Sequence, residues 1–279
     1  MIIDSHGHPQ FRGYGAETEA MMERTKEKQT VVNAVGTEKS TSKDAVMFAD
    51  RFDFCFATVG LHPGHLFSDH HDENESEQKI EENDFDSDYY EELVKHPKVI
   101  AVGECGIDLY RLPENIERAT VLKKQTEVFL AQAKLAKKYS LPLVIHCRDA
   151  HKEMIDVLKT LPGQTGTIHC YTSNWEFAEQ YLDLGYYIGF TGIITFPPQK
   201  KNPKAQEDLL EVVRRIPTDR FLVETDCPYL SPLPYRGKQG EPWMVEEVIK
   251  KIAEIRQDSV DSILNKSVEN AQNLFKKLV

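Results

Sequence analysis

Six side chains of the kinds that hold metal ions are scattered along this sequence. His6 and His8 lie in Asp4-Ser5-His6-Gly7-His8, directly after Met1 to Ile3, which read as a short buried strand. Residues two apart on an extended backbone point the same way. Both imidazoles can therefore reach one ion, with Gly7 leaving the backbone free to bend. Alone, the pair reads more readily as two surface histidines near a frayed terminus. Glu104, His146, His169 and Asp226 change that reading, because each ends its own short apolar run. Imidazole with carboxylate suits Zn²⁺ or Mn²⁺, and oxygen-rich sites suit Mg²⁺. Six ligands exceed the three that a catalytic zinc normally keeps beside its open position. Shared between two ions, with one carboxylate bridging, the count works. Two ions ~3.5–4 Å apart can activate a water and stabilise both oxygens of a displacement at phosphorus. Two-metal hydrolysis is the chemistry expected.

Such a constellation needs regular elements to hold it, and strand-like and helical runs alternate along the whole chain. Strands are predicted at the first apolar residues and over Thr30 to Val35, Phe54 to Gly60, Lys98 to Glu104, Leu143 to His146, Thr167 to Cys170, Tyr186 to Phe190 and Phe221 to Thr225. Helical patterns separate them, including a long one over Glu114 to Tyr139. Two more, near Pro242 to Arg256 and Asp258 to Lys277, come after the last strand. Eight strands buried on both faces indicate a TIM (β/α)₈ barrel of α/β class, here one domain over residues 1–279. An open doubly wound sheet shares this alternation. The polar residues favour the barrel, because all of them, His62 included, stand at strand ends, which a barrel gathers on one face.

The length of 279 residues suits one such barrel. No apolar run approaches the ~18 residues of a membrane span, and no basic region precedes a hydrophobic stretch. The expected setting is cytoplasmic, with no membrane partner. Cys55, Cys105, Cys147, Cys170 and Cys227 are odd in number and lack C-x-x-C spacing, as a reducing compartment allows. Four directly follow a proposed ligand, so their sulfurs should point outward into the helix layer. The net charge of −11 comes almost wholly from Asp69 to Glu92, where Lys79 is the only base. The rest of the chain is near neutral, and a nucleic-acid substrate is not excluded. The acidic stretch, about 67–90, is poor in apolar residues and reads as a mobile surface loop with His70 and His71 solvated.

Six strings resemble successive signatures of the TatD-type metal-dependent DNases. They are Ile3-Asp-Ser-His-Gly-His8, Val59-Gly-Leu-His-Pro63, Val102-Gly-Glu-Cys-Gly-Ile-Asp108, Pro142-Leu-Val-Ile-His-Cys-Arg148, Thr167-Ile-His-Cys-Tyr171 and Leu222-Val-Glu-Thr-Asp-Cys-Pro-Tyr-Leu230. The resemblance runs nearly end to end and implies an amidohydrolase-like barrel with two divalent ions (Mg²⁺, Mn²⁺ or Zn²⁺). By position, His6, His8 and Asp226 would hold one ion and His146 and His169 the other. Glu104 would bridge, where several related hydrolases carry a carboxylated lysine. Phosphodiester hydrolysis is implied, often as a 3′-to-5′ exonuclease on DNA ends. Two other readings remain open: an ester or amide hydrolase on the same centre, such as one acting on aminoacyl-tRNA, and a non-catalytic barrel binding protein. Oligomeric state is not set, and a monomer is compatible. The chain departs from the family pattern in Arg236-Gly-Lys-Gln-Gly-Glu-Pro242, where Gly240 replaces a usual amide, and in the long acidic insertion.

The catalytic pair expected is Asp226, taking the proton of the attacking water or serving only as a ligand, with Glu104. His62 would contact the scissile phosphate or orient a ligand. Arg148, two residues past His146, would clamp a phosphate or form a rim salt bridge. Arg236, with Lys238, Lys200, Lys201 and Lys204, would edge the path of a nucleic-acid strand. Tyr110, Tyr171 and Trp175 come after strand ends and read as packing residues or base-stacking surfaces. Trp243 reads as a packing anchor.

Overall fold

A computed structural model describes residues 1–67, 72–75 and 84–278. The strands are β1 (Ile2–Gly7), β2 (Thr30–Val35), β3 (Cys55–Val59), β4 (Val99–Asp108), β5 (Leu143–Arg148), β6 (Gly166–Ile168), β7 (Tyr187–Phe190) and β8 (Phe221–Val223). Each pairs in parallel with the next in one sheet. Between and after them run α1 (Thr18–Glu27), α2 (Lys39–Arg51), α3 (Ser87–Val94), α4 (Arg118–Lys138), α5 (His151–Leu158), α6 (Trp175–Asp183), α7 (Pro203–Arg215), α8 (Val245–Arg256) and α9 (Val260–Leu274). Backbone hydrogen bonds from Asp226 N to His6 O (2.9 Å) and from His8 N to Cys227 O (2.7 Å) join the last strand's exit to the first strand. This is the (β/α)₈ barrel the alternation implied. No helix among the described residues is long and apolar enough to cross a membrane.

Several boundaries differ from the pattern-based expectation: β5 runs on to Arg148, β6 and β8 stop at Ile168 and Val223, just short of His169 and Asp226, and the change in β4 bears most on the site. β4 runs four residues past Glu104, to Asp108. The reason is Gly106, with φ 150°, where a Cβ would lie 1.9 Å from the His146 carbonyl oxygen. Only glycine lets β4 continue against β5 there, past the Glu104 at which the apolar run ends. The long helix begins at Arg118 rather than Glu114, and a 3₁₀ turn at Pro242–Met244 precedes α8. Of the acidic stretch, residues 68–71 (with His70 and His71) and 76–83 lie outside the described residues. Its end is helical: α3 starts at Ser87, capped by Asp86, whose side chain accepts from Tyr89 N.

Outside the strands a continuous apolar layer joins sheet and helices, with Cys55, Cys105 and Cys147 in it. A smaller cluster fills the barrel's amino-terminal end. There Ala271, Leu274 and Phe275, at the end of α9, meet Ile3, Ile100, Val144, Tyr187 and Leu222. The terminal helix is a plug, and the opposite, carboxyl-terminal mouth is left for chemistry. Phe275 is fully buried in that plug. Phe275→Ala is therefore expected to cost about 3–5 kcal/mol, measured by urea unfolding. A loss below about 1 kcal/mol would mean that α9 does not close the barrel.

Candidate metal centre

The seam between β8 and β1 assembles the first group of ligands. The buried Asp4 carboxylate accepts from Thr225 N (2.9 Å) and Thr225 Oγ1 (2.6 Å). Beyond that clamp the chain turns through Asp226 at φ 60°, a left-handed conformation that Asp tolerates better than most residues. Its carboxylate is thereby delivered beside the two histidines of β1. Gly7 plays a different part from the flexible joint expected: a Cβ there would lie 2.8 Å from Cys227 Sγ, so it provides clearance at the seam.

The donor atoms are spaced as ligands of an ion would be. His6 Nε2 and His8 Nε2 are 3.3 Å apart, and Asp226 Oδ1 is 3.7 Å from the first and 3.4 Å from the second. Glu104 Oε2 lies 3.5 Å from His6 Nε2 and 3.9 Å from His8 Nε2. Donors at ~2.1 Å around a tetrahedral ion stand roughly 3.4 Å from one another. The other oxygen of Glu104 faces elsewhere: Oε1 is 3.0 Å from His146 Nδ1 and 3.6 Å from His62 Nε2. His169 stacks on His6, ring centroids 3.4 Å apart, with Nε2 3.6 Å from Asp226 Oδ1. All six expected ligands thus converge. His146 groups with Glu104 and His62, whereas His169 groups with His6 and Glu224 and with Cys170 and Asp226.

Tautomers separate ligands from donors. His8 Nδ1 is 2.7 Å from Val35 O, a carbonyl that can only accept, so Nδ1 carries the proton and Nε2 presents its lone pair. His169 Nδ1 lies 3.0 Å from Glu224 Oε1, close enough for an ion pair, although no hydrogen bond fixes its tautomer. His146 has Asp108 Oδ2 3.0 Å from Nε2, leaving Nδ1 directed at Glu104. The carbonyl behind His8 and the carboxylate behind His146 are the usual support of a metal-ligating histidine. His62 is the reverse: its Nδ1 accepts from Gly64 N (3.0 Å), so Nε2 holds the proton and donates. Asp108 and Glu224 were not singled out in the sequence. Glu224 stands two residues before Asp226, the spacing of His6 and His8, and that signal was available.

The electrostatics call for a cation. Burial opposes the charge on every one of these groups. Even so, His62 and His146 hold Glu104 well below the usual carboxylate range, and His8 and His169 hold Asp226 below it. Burial outweighs the carboxylates at His62, driving it to about 3 with the help of His146. The opposite holds at His146, lifted to about 9 by Asp108 and Glu104 against burial, and at His169, lifted to about 10 by Glu224. Ionised carboxylates packed this way need positive charge among them, and a divalent ion supplies it where imidazolium protons otherwise must. The donor set fits such an ion.

The remaining expected residues divide. Arg148 is exposed on the rim of a cleft of about 940 Å³ over the centre, its guanidinium 3.7 Å above the Tyr110 ring. It is stacked there, a pairing the sequence did not suggest. Arg236 lies outside the cleft lining, exposed and 4.1 Å over Phe196. Lys200, Lys201, Lys204 and Lys238 are exposed. Tyr171 is buried against His151, and Trp175 packs under Arg215, so both are structural. Trp243 donates to Glu241, as an anchor would. Cys170 contradicts the outward rule. At φ 46° it leaves the strand geometry, is half-buried, and its sulfur lies 3.4 Å from Thr191 Oγ1 on the cleft wall.

A parallel barrel with imidazoles and carboxylates gathered at its carboxyl-terminal mouth defines a metal-dependent hydrolase. Comparison with known proteins makes this specific: the family model for TatD-related DNases matches residues 3–276, and the chain belongs to that family. It is 35% identical to the metal-dependent hydrolase YabD of Bacillus subtilis, over 99% of each chain. To the 3′-5′ ssDNA/RNA exonuclease TatD of Rahnella it is 33% identical, covering 86% of this chain and 84% of the relative. Among solved structures, the Escherichia coli TatD homologue YjjV superposes with a TM-score of 0.81 at 27% identity, covering 99% of this chain and 98% of the other. An organophosphorus hydrolase of Deinococcus radiodurans shares the fold alone, at 11% identity and a TM-score of 0.58.

The tautomers lead to opposite expectations for two neighbouring histidines. His8→Ala should lower bound Mn²⁺ in the purified protein, whereas His62→Ala should retain metal and lose turnover. Metal loss in His62→Ala would reverse the assignment. Because His146 and His169 bind protons up to about 9 and 10, ions must displace those protons. Affinity for Mn²⁺ should rise with pH from 7 towards 9, read by calorimetry, and a flat profile would mean that these imidazoles do not ligate.

Proposed function

We propose that the chain removes nucleotides from the ends of single-stranded DNA or RNA as a 3′-to-5′ exonuclease with two divalent ions. The observation that carries this is Glu104, whose two oxygens face two different groups of donors. One carboxylate between two ion positions is the arrangement that in-line displacement at phosphorus uses. His6, His8 and Asp226 would hold one ion and His146, backed by Asp108, the other; His169, expected beside His146, lies instead against His6 and Asp226. Mg²⁺, Mn²⁺ or Zn²⁺ bound there would polarise the phosphate and make a water acidic enough to attack.

The chain's own groups supply the rest. Asp226 accepts the proton that the attacking water loses. His62 Nε2–H donates to a non-bridging phosphate oxygen, and its Nδ1 bond to Gly64 N keeps it in that tautomer. Arg148 pairs with a neighbouring phosphate, held in place on Tyr110. Tyr110 is 55% exposed and offers a base its aromatic surface. The single-stranded DNA and RNA named for the Rahnella relative support this choice among esters.

Metal-loaded protein is to be offered single-stranded DNA, single-stranded RNA and charged tRNA. Release of mononucleotides is expected; intact nucleic acid with freed amino acid would overturn the reading in favour of an aminoacyl esterase. Asp226→Asn, which can still ligate, should lower kcat about 10²–10⁴-fold with KM little changed. Unaltered turnover would remove Asp226 from proton transfer.

A further inference from the structure

Four residues of the acidic insertion lie across the mouth of the barrel. Residues 72–75 form a tight turn, with Glu75 N donating to Asp72 O (3.0 Å) and Asn74 N to Asp72 Oδ1 (2.8 Å). Four loops hold it. Gly13 N, after β1, donates to Asn74 O (2.9 Å), and a Cβ on Gly13 would lie 2.9 Å from Asn74 Oδ1. Thr37, after β2, donates its hydroxyl to Glu75. His65 Nε2, after β3, is 2.9 Å from Glu75 Oε1. Tyr229 OH, after β8, donates to Asp72 Oδ2 (2.7 Å). Asp72 and Glu75 both line the cleft that opens on the metal centre.

Residues 72–75 are bonded to the loops that follow β8, β1, β2 and β3. The arc over β4 to β7 differs in bringing exposed cations to the cleft, Arg111 and Arg148, among the carboxylates of Asp108 and Asp149. Arg148 and Tyr110 stand at the ends of β5 and β4, and Lys200 and Lys201, after β7, flank the cleft-lining Gln199 and Asn202. A polyanion can pair with Arg111 and Arg148 on this arc, whereas Asp72 and Glu75 in the turn repel it. Among the described residues the cleft is therefore flanked by arginines at one side and bounded by carboxylates at the other.

We propose that residues 72–75 are an end-stop: they limit the centre to the terminal nucleotide of a strand, and to one ending in a hydroxyl rather than a phosphate. The inference rests on the exonuclease reading above and names which termini that enzyme accepts. A strand entering over Arg148 places its scissile phosphate at the metals and its last sugar against Asp72 and Glu75. A terminal hydroxyl can hydrogen bond there. A terminal phosphate brings further negative charge to two carboxylates, in a cleft where water screens them poorly.

The test compares metal-loaded enzyme on one oligonucleotide sequence ending in a 3′-hydroxyl, a 3′-phosphate or a 5′-phosphate, and on a circular single strand. The 3′-hydroxyl strand should be degraded at least about tenfold faster than the 3′-phosphate strand, the 5′-phosphate should matter little, and the circle should stay intact. In Asp72→Asn/Glu75→Gln, which keeps shape and removes charge, the 3′-phosphate penalty should fall to about twofold. Equal rates in the wild-type enzyme, a cut circle, or a penalty that survives neutralisation would each overturn the end-stop while leaving exonuclease activity standing. Failure to degrade any strand would overturn that activity and the end-stop with it.

Discussion

The structure depends on how its first and last strands are joined. β8 is only three residues long, and the bonds that tie it to β1 come largely from Thr225, Asp226 and Cys227 just beyond its end. The Asp4 carboxylate makes the joint. It accepts from Thr225 N and Oγ1, and Thr225 Oγ1 in turn accepts from Cys227 N (3.1 Å). The cost is a carboxyl deep in the barrel wall, where burial lifts its pKa to about 8 despite those bonds. The result is a fixed turn that brings Asp226 within 3.4 Å of an imidazole more than two hundred residues earlier in the chain. Without that joint His6 and His8 would have no partner carboxylate from the far end of the chain.

The second constraint is charge. Glu104, Asp108, Glu224 and Asp226 crowd one mouth, and what orients them is itself polar. Beneath the ligands, Thr58 Oγ1 donates to Asn33 Oδ1 (2.9 Å), Asn33 Nδ2 to Ser5 O (3.0 Å) and Ser5 Oγ to Val223 O (3.0 Å). These bonds cross-link β3, β2, β1 and β8 directly below the centre. Glu224 fits beside them because Gly189 leaves room: a Cβ there would sit 2.4 Å from Glu224 Oε1. Rigid, satisfied support of this sort holds ligands in place before an ion arrives, and it limits what binding must spend on ordering them.

Much of this was legible in the residues themselves. The barrel followed from eight doubly buried runs, and the ligands from polar residues recurring where those runs stop. The failures have physical causes. Asp108 lay past the expected end of β4 because the apolar run stops at Glu104, and the clearance that Gly106 gives beside His146 is invisible to that pattern. Cys170 broke the alternation because the chain turns left-handed there, which side-chain period cannot reveal. Arg148 and Tyr110 were each weighed alone, and their stacking joins loops that no local pattern connects. Arg236 was credited with a substrate contact from its neighbourhood in sequence; packing on Phe196 takes it out of the cleft wall.

The two departures from the family pattern meet at one residue. Gly240 N donates to Pro228 O (2.9 Å), Tyr14 donates its hydroxyl to Gly240 O, and a Cβ on Gly240 would approach Tyr229 O to 2.8 Å. The missing side chain lets the loop after β8 close tightly over Tyr229. The hydroxyl of that same Tyr229 holds Asp72 of the acidic insertion. A glycine that looked like a loss in one loop and an insertion that looked like an excess in another are parts of one contact. The donor groups sit at the strand ends, where a change would disturb the sheet, whereas loops can be altered together without disturbing it. In this chain the contact of Gly240 with Tyr229 and of Tyr229 with Asp72 lies in the loops, while the imidazoles and carboxylates sit beneath it at the ends of the strands.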